Sequence, residues 1–152
     1  MKIRHLLLAV VLSLGLAGVV TSISQPASAK AYKSYKSIPK VLRGTWQEKS
    51  YSKYTKGVKV RWTYTFNKSS YTMKADYKGG NKKSKTVHFL KKEIHDISYA
   101  YKTKKYGIYP SVTDKKKLPY AGVLSMEVVR HHGEKALAMP GYDEQTIYFY
   151  RK

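Results

Sequence analysis

Four histidines follow residue 30: His88, His95, His131 and His132. Imidazoles serve as metal ligands or general bases, so their spacing comes first. Neighbours on a strand point to opposite faces, which keeps His131 and His132 from sharing one ion. His88 and His95 differ by an odd number, with a turn expected near Lys91–Lys92. Neither pair has the His-Glu-x-x-His spacing of a zinc site. The histidines read as surface groups, and no metal is expected. Nine carboxylates are scattered along the same stretch: Glu48, Asp76, Glu93, Asp96, Asp114, Glu127, Glu134, Asp143 and Glu144. Glu127 stands out, because it interrupts the apolar run Val123-Leu124-Ser125-Met126-Glu127-Val128-Val129. It shares its alternation face with Val123, Ser125 and Val129. The expectation is that it points inward and pairs with a Lys or Arg, as an ion pair rather than a catalytic acid. There is no cysteine, hence no disulfide and no thiol nucleophile. There is also no Gly-x-Ser-x-Gly and no phosphate loop. No catalytic residue and no cofactor are expected, and the chain reads as non-enzymatic. A hydrolase would need a carboxylate such as Glu127 exposed in a cleft.

The chain begins with Lys2 and Arg4, an apolar run over Leu6–Val20, and Ala27-Ser28-Ala29. A positive start, a short apolar segment and a small-x-small site are the three parts of a secretory signal peptide. Residues 1–29 are therefore set apart from the fold. The run is shorter than the roughly 20 residues that span a bilayer. The expected product is a secreted, extracellular protein, Lys30–Lys152.

That product holds only 21 Leu, Ile, Val and Phe residues. So few aliphatics with so much charge would warn of disorder. Two Trp and 15 Tyr answer the warning, because one aromatic buries on the order of 150–250 Å². Residues 30–37 (Lys-Ala-Tyr-Lys-Ser-Tyr-Lys-Ser) read as a flexible basic arm. From Val41 onward the apolar period is two. In Val58–Phe66 every even position is apolar or aromatic, so Val58, Val60, Trp62, Tyr64 and Phe66 share one face. Tyr71, Met73, Ala75 and Tyr77 repeat the pattern, after a turn at Asn67–Ser70. Further strands are expected at Leu42–Ser50, Lys85–Leu90, Ile94–Lys102, Tyr106–Tyr109, Val123–His131, Lys135–Met139 and Gln145–Arg151. No helical stripe competes with them. Short strands with frequent turns predict an all-β, antiparallel domain over residues 38–152.

Ahead of the first strand stands Ser37-Ile38-Pro39-Lys40-Val41-Leu42-Arg43-Gly44-Thr45-Trp46, and Arg151 ends the last one. This arrangement resembles the calycin group, the lipocalins and their bacterial relatives. The resemblance implies an up-and-down β-barrel of about eight strands. It makes Trp46 the aromatic that closes one end, Gly44 a close-approach position and Arg151 the cation over the indole. If such a barrel has a pocket, Trp62, Tyr64, Phe66, Tyr71 and Met73 face it, with Glu127 beside them.

The chain carries 30 Lys+Arg against 9 Asp+Glu, a formal charge of +21. Beyond residue 29 lysine outnumbers arginine 24 to 4. Arginine is the residue for bidentate reading of bases, whereas lysine offers diffuse attraction to any polyanion. Sequence-specific nucleic-acid binding is therefore not expected. Three lysine clusters fall at turns: Lys82, Lys83 and Lys85; Lys102, Lys104 and Lys105; Lys115, Lys116 and Lys117. Together they suit an anionic cell-wall polymer or an anionic lipid surface. The reading is a monomeric secreted binding module with a small apolar ligand and electrostatic attachment to the envelope. The alternative is a structural or adhesion protein whose interior is filled by its own side chains.

Overall fold

The computed structural model describes residues 31–141 and 145–152. Residues 1–29, expected to be a signal peptide, lie outside them, as do Asp143 and Glu144. Eleven strands follow in order: β1 Tyr32–Ser34, β2 Gly44–Glu48, β3 Ser52–Thr55, β4 Val58–Phe66, β5 Tyr71–Lys78, β6 Lys85–Phe89, β7 Ile94–Ala100, β8 Lys105–Pro110, β9 Leu124–His131, β10 Glu134–Pro140 and β11 Thr146–Arg151. Short 3₁₀ turns lie at Lys91–Glu93 and Leu118–Tyr120. All the pairings are antiparallel.

The alternation in β4 sets one face of the sheet. Val58, Val60, Trp62, Tyr64 and Phe66 are all buried. Their register carries the same face to the neighbouring strands: Trp62 opposes Ala75, Tyr64 opposes Met73, and Phe66 opposes Tyr71. Tyr71 then opposes Phe89, and Met73 opposes Val87. Across the other strands the row continues through Ile97, Ile108, Leu124, Met126, Leu137, Met139 and Phe149, all in one core. Rings make up for the shortage of aliphatics. Tyr71 and Phe89 stack with centroids 4.5 Å apart, and Tyr64 meets Phe149 edge-on at 5.2 Å.

The sheet has eleven strands rather than eight, and it is not a closed barrel. Its strand order is β1-β7-β8-β9-β10-β11-β2-β4-β5-β6, with β3 added on β4. The path ends at β1 on one side and β6 on the other, with no ladder between those two edges. Only residues 90–93 join β6 to β7, whose far edge β1 covers, and a seam is left between the β6 edge and the β7–β1 edge.

Two of these strands were not expected. Residues 32–34, read as part of a flexible arm, form β1. It pairs with β7 through Tyr32–Ala100, Lys33–Tyr99 and Ser34–Ser98. Backbone bonds from Tyr35 to Ile97 and from Tyr101 to Ala31 extend the pairing on either side. The segment has no apolar alternation, because all three residues of β1 are exposed. It is held by backbone bonds along the β7 edge. The other addition is β3, which continues the line of β2 after a break at Lys49–Tyr51. β2 pairs with Thr63–Phe66 and β3 with Val58–Val60. At the break, Glu48 replaces the missing ladder: its Oε2 accepts the Trp62 backbone N–H at 2.6 Å. Its Oε1 accepts the Ser52 hydroxyl at 3.2 Å.

One end of the sheet is closed by the segment before β2. Ile38 and Leu42 are fully buried beside Trp46. The Trp46 Nε1–H donates to the Leu42 carbonyl at 2.6 Å. The Arg151 guanidinium lies 5.5 Å from the Trp46 ring and donates to the Arg43 carbonyl. Gly44 has φ +115°, and a Cβ there would sit 3.0 Å from Arg151 Nη2. The positive φ favours glycine, and a side chain there would also have to displace the Arg151 guanidinium slightly.

Candidate functional site

At the other end of the core is a cavity of about 440 Å³. That volume lies within the usual range of about 300–1,000 Å³ for small-molecule sites. Its floor is Trp62, Tyr64, Met73, Leu124, Met139 and Phe149. Tyr54 from β3 and Tyr77 from β5, whose rings meet edge-on with centroids 5.4 Å apart, and Tyr120 from the second 3₁₀ turn also line it. Among the described residues no charged side chain lines it. The residues with polar side chains in its lining are tyrosines, Trp62 and Ser125.

The inward row expected from sequence divides in two. Trp62, Tyr64 and Met73 line the cavity. Phe66 and Tyr71 do not. They are each 1% exposed and pack among one another and Phe89 toward the closed end. The Tyr71 hydroxyl is buried without a hydrogen-bond partner, and burial raises its pKa. Alternation identifies a face, but it does not say which part of that face is covered by the chain end.

Glu127 requires a correction. It stands on the face opposite Leu124 and Met126, and it opposes Ala138 on β10. Its face is the outer one, because Leu124 and Met126 take the core. There it borders a second hollow with Lys105, Arg130, His131 and Tyr148, and it is not among the residues that line the cavity. The inward carboxylate is Glu48, which is 5% exposed. Burial raises its pKa, against the lowering effects of the Trp62 N–H, the Ser52 hydroxyl and Arg61. Its sequence signal is its register: Trp46 and Glu48 share a face.

The histidine pair also departs from strand geometry. β9 ends at His131, and His132-Gly133 is a two-residue hairpin turn with φ of 50° and 80°. The turn brings the two rings to 4.1 Å. The His131 ring stacks on Tyr148 and its Nδ1 shares a hydrogen bond with the Tyr150 hydroxyl. Desolvation, His132 and Lys49 lower the His131 pKa. No group of three or more potential metal ligands occurs among the described residues.

Residues 111–123 cross the seam as a strap. Asp114 shapes its start, accepting the Lys116 N–H at 2.8 Å. Lys117 Nζ then reaches Glu93 Oε1 at 2.7 Å and Oε2 at 2.9 Å, and lies 6.0 Å from the Phe89 ring. Glu93 also accepts the Leu90 N–H. That bond, followed by Lys117, holds the Glu93 carboxyl below its ordinary pKa. Beyond the clamp the strap delivers Pro119, Tyr120, Gly122 and Val123 to the cavity mouth. Leu118 and Val123 are 52% and 57% exposed there. Nothing in the polar composition of 111–123 announces this role.

Of the three lysine clusters, eight of the nine members are exposed, and Lys117 alone is half-buried in its clamp. Lys82 Nζ lies 4.3 Å from the Tyr54 ring centre and 5.5 Å from that of Tyr77. Lys85 Nζ lies 4.7 Å from the Tyr120 ring centre. No protein-family profile, curated protein or solved structure matches this chain.

Proposed function

We propose that the protein is a secreted, non-enzymatic binding module that takes a small apolar ligand into the cavity between β4, β5, β9, β10 and β11. The observation that carries this reading is the cavity itself: a preformed, ring-lined space at one end of an otherwise packed core. An aromatic wall without charge suits an apolar body, and tyrosine hydroxyls offer orienting hydrogen bonds. The reading keeps a lipocalin-like working principle, a curved antiparallel sheet enclosing a ligand, on an open sheet. Its support at the closed end is the packing of Gly44, Trp46 and Arg151. The exposed lysine loops suit association with an anionic envelope polymer, because three like-signed loops add up to one strong field.

The test is binding of the neutral dye N-phenyl-1-naphthylamine, followed by its fluorescence. The wild type enhances emission saturably. Met139→Trp, which fills the floor, loses the enhancement while retaining the folded circular-dichroism spectrum. A wild-type protein that leaves the dye dark refutes the reading. Envelope association is measured separately, by release from cell envelopes as sodium chloride is raised. Salt release without dye binding favours the adhesion protein, in which the lysine surface alone is used.

A further inference from the structure

We infer that the ligand is an amphiphile, with an apolar body in the cavity and a single anionic group held at its mouth by Lys82 and Lys85. This inference rests on the cavity reading and adds the class of ligand. Three tyrosine rings frame the mouth: Tyr54, Tyr77 and Tyr120. An ammonium group lies over each of them. Lys82 serves Tyr54 and Tyr77, and Lys85 serves Tyr120. A ring face attracts a cation placed above it, so the rings draw both lysines to the rim.

Neither lysine forms a salt bridge among the described residues; the ion pairs there are Lys49–Glu134, Lys74–Asp76 and Lys117–Glu93. Two cations without a salt bridge among the described residues thus lie over rings that line an apolar space. An apolar ligand alone would leave them unused. A carboxylate, sulfonate or phosphate head lying over the rim would meet both, while its body displaced water from the rings. The two positions are set by different elements: Lys82 by the β5–β6 turn and Lys85 by the first residue of β6. The rings they cover come from β3, β5 and the strap. Head recognition is therefore assembled across the same opening through which the body enters.

The test compares two dyes with nearly the same ring system, neutral N-phenyl-1-naphthylamine and anionic 8-anilinonaphthalene-1-sulfonate. In low salt the wild type binds the anionic dye about tenfold tighter than the neutral one, as two nearby charges at the protein surface allow. Lys82→Gln/Lys85→Gln removes that preference and leaves neutral-dye binding unchanged, which also shows the cavity intact. Lys102→Gln/Lys135→Gln removes the same charge from exposed positions elsewhere and keeps the preference. An equal loss in both double variants overturns the inference, since general charge attraction would then suffice. So does a wild type that binds both dyes alike. If neither dye binds, the cavity reading falls and this one with it; if only the neutral dye binds, this one falls alone.

Discussion

Glu48 offers the sharpest test of how the sheet is held, because one side chain stands where a strand ladder breaks. Its Oε2 satisfies the buried Trp62 N–H at 2.6 Å, and Trp62 is part of the cavity floor. In Glu48→Ala that N–H loses its acceptor. An orphaned buried donor costs about 1–3 kcal/mol, and relief of the desolvated carboxylate returns part of it, so a net loss of about 2 kcal/mol is expected. Glu48→Gln keeps an acceptor oxygen and removes the charge. It is expected to cost less than about half as much at pH 7. The pH dependence adds a sign. Burial raises the Glu48 pKa in the folded state. The folded protein then binds the proton more tightly than the unfolded chain does. Stability of the wild type relative to Glu48→Gln therefore rises as pH falls from 7 through the carboxylate range, and is lost as pH rises through the folded pKa. Comparison with Glu48→Gln cancels the opposite trend of Glu93 and Asp76, whose carboxyls are held low. Urea denaturation of the three proteins at pH 7 and pH 4.5 reads all of this. Glutamine as damaging as alanine would refute the acceptor role, and a difference that moves the other way with pH would refute the burial argument.

The closed end predicts that Gly44→Ala costs about 2 kcal/mol, from a side chain at positive φ and a clash with Arg151. In an Arg151→Ala background the steric part disappears, so chemical denaturation of the double-mutant cycle returns a favourable coupling between the two changes. At the seam, Glu93→Gln breaks the clamp on Lys117 and costs at most about 1 kcal/mol, as partly exposed ion pairs do. Amide hydrogen exchange should quicken at residues 116–120 while Leu137 and Phe149 keep their protection. In the wild type the same clamp is present above the ordinary carboxyl range and is lost as pH falls through the lowered Glu93 pKa.

The strong alternation of Val58–Phe66 and Tyr71–Tyr77 was readable because every second residue is large and apolar. The same signal located β6 to β11 to within a few residues. β1 escaped notice because its side chains do no packing, and backbone bonds leave no mark on composition. β3 escaped because the chain breaks at Lys49–Tyr51 and resumes with Ser-Lys-Tyr-Thr, of which three residues are exposed. The mistaken direction of Glu127 has a simple origin. Val128 and Val129 are adjacent apolar residues, so either parity of β9 could be defended from the sequence, and only the pairing of Leu124 with Ile108 decides it. Half of the cavity floor was visible in β4 and β5. The mouth was not, since it is made by a loop whose course depends on a long-range contact between Lys117 and Glu93.

The ten-strand path ends on β1 and β6, and no ladder joins those two borders, so the sheet keeps a slit between them. A slit exposes strand borders that invite foreign chains, and here one border is taken by three N-terminal residues while the other is shielded by a strap pinned with a single ammonium–carboxylate clasp. The two borders are thus covered by a handful of residues, one by backbone pairing and the other by a strap held through one ion pair.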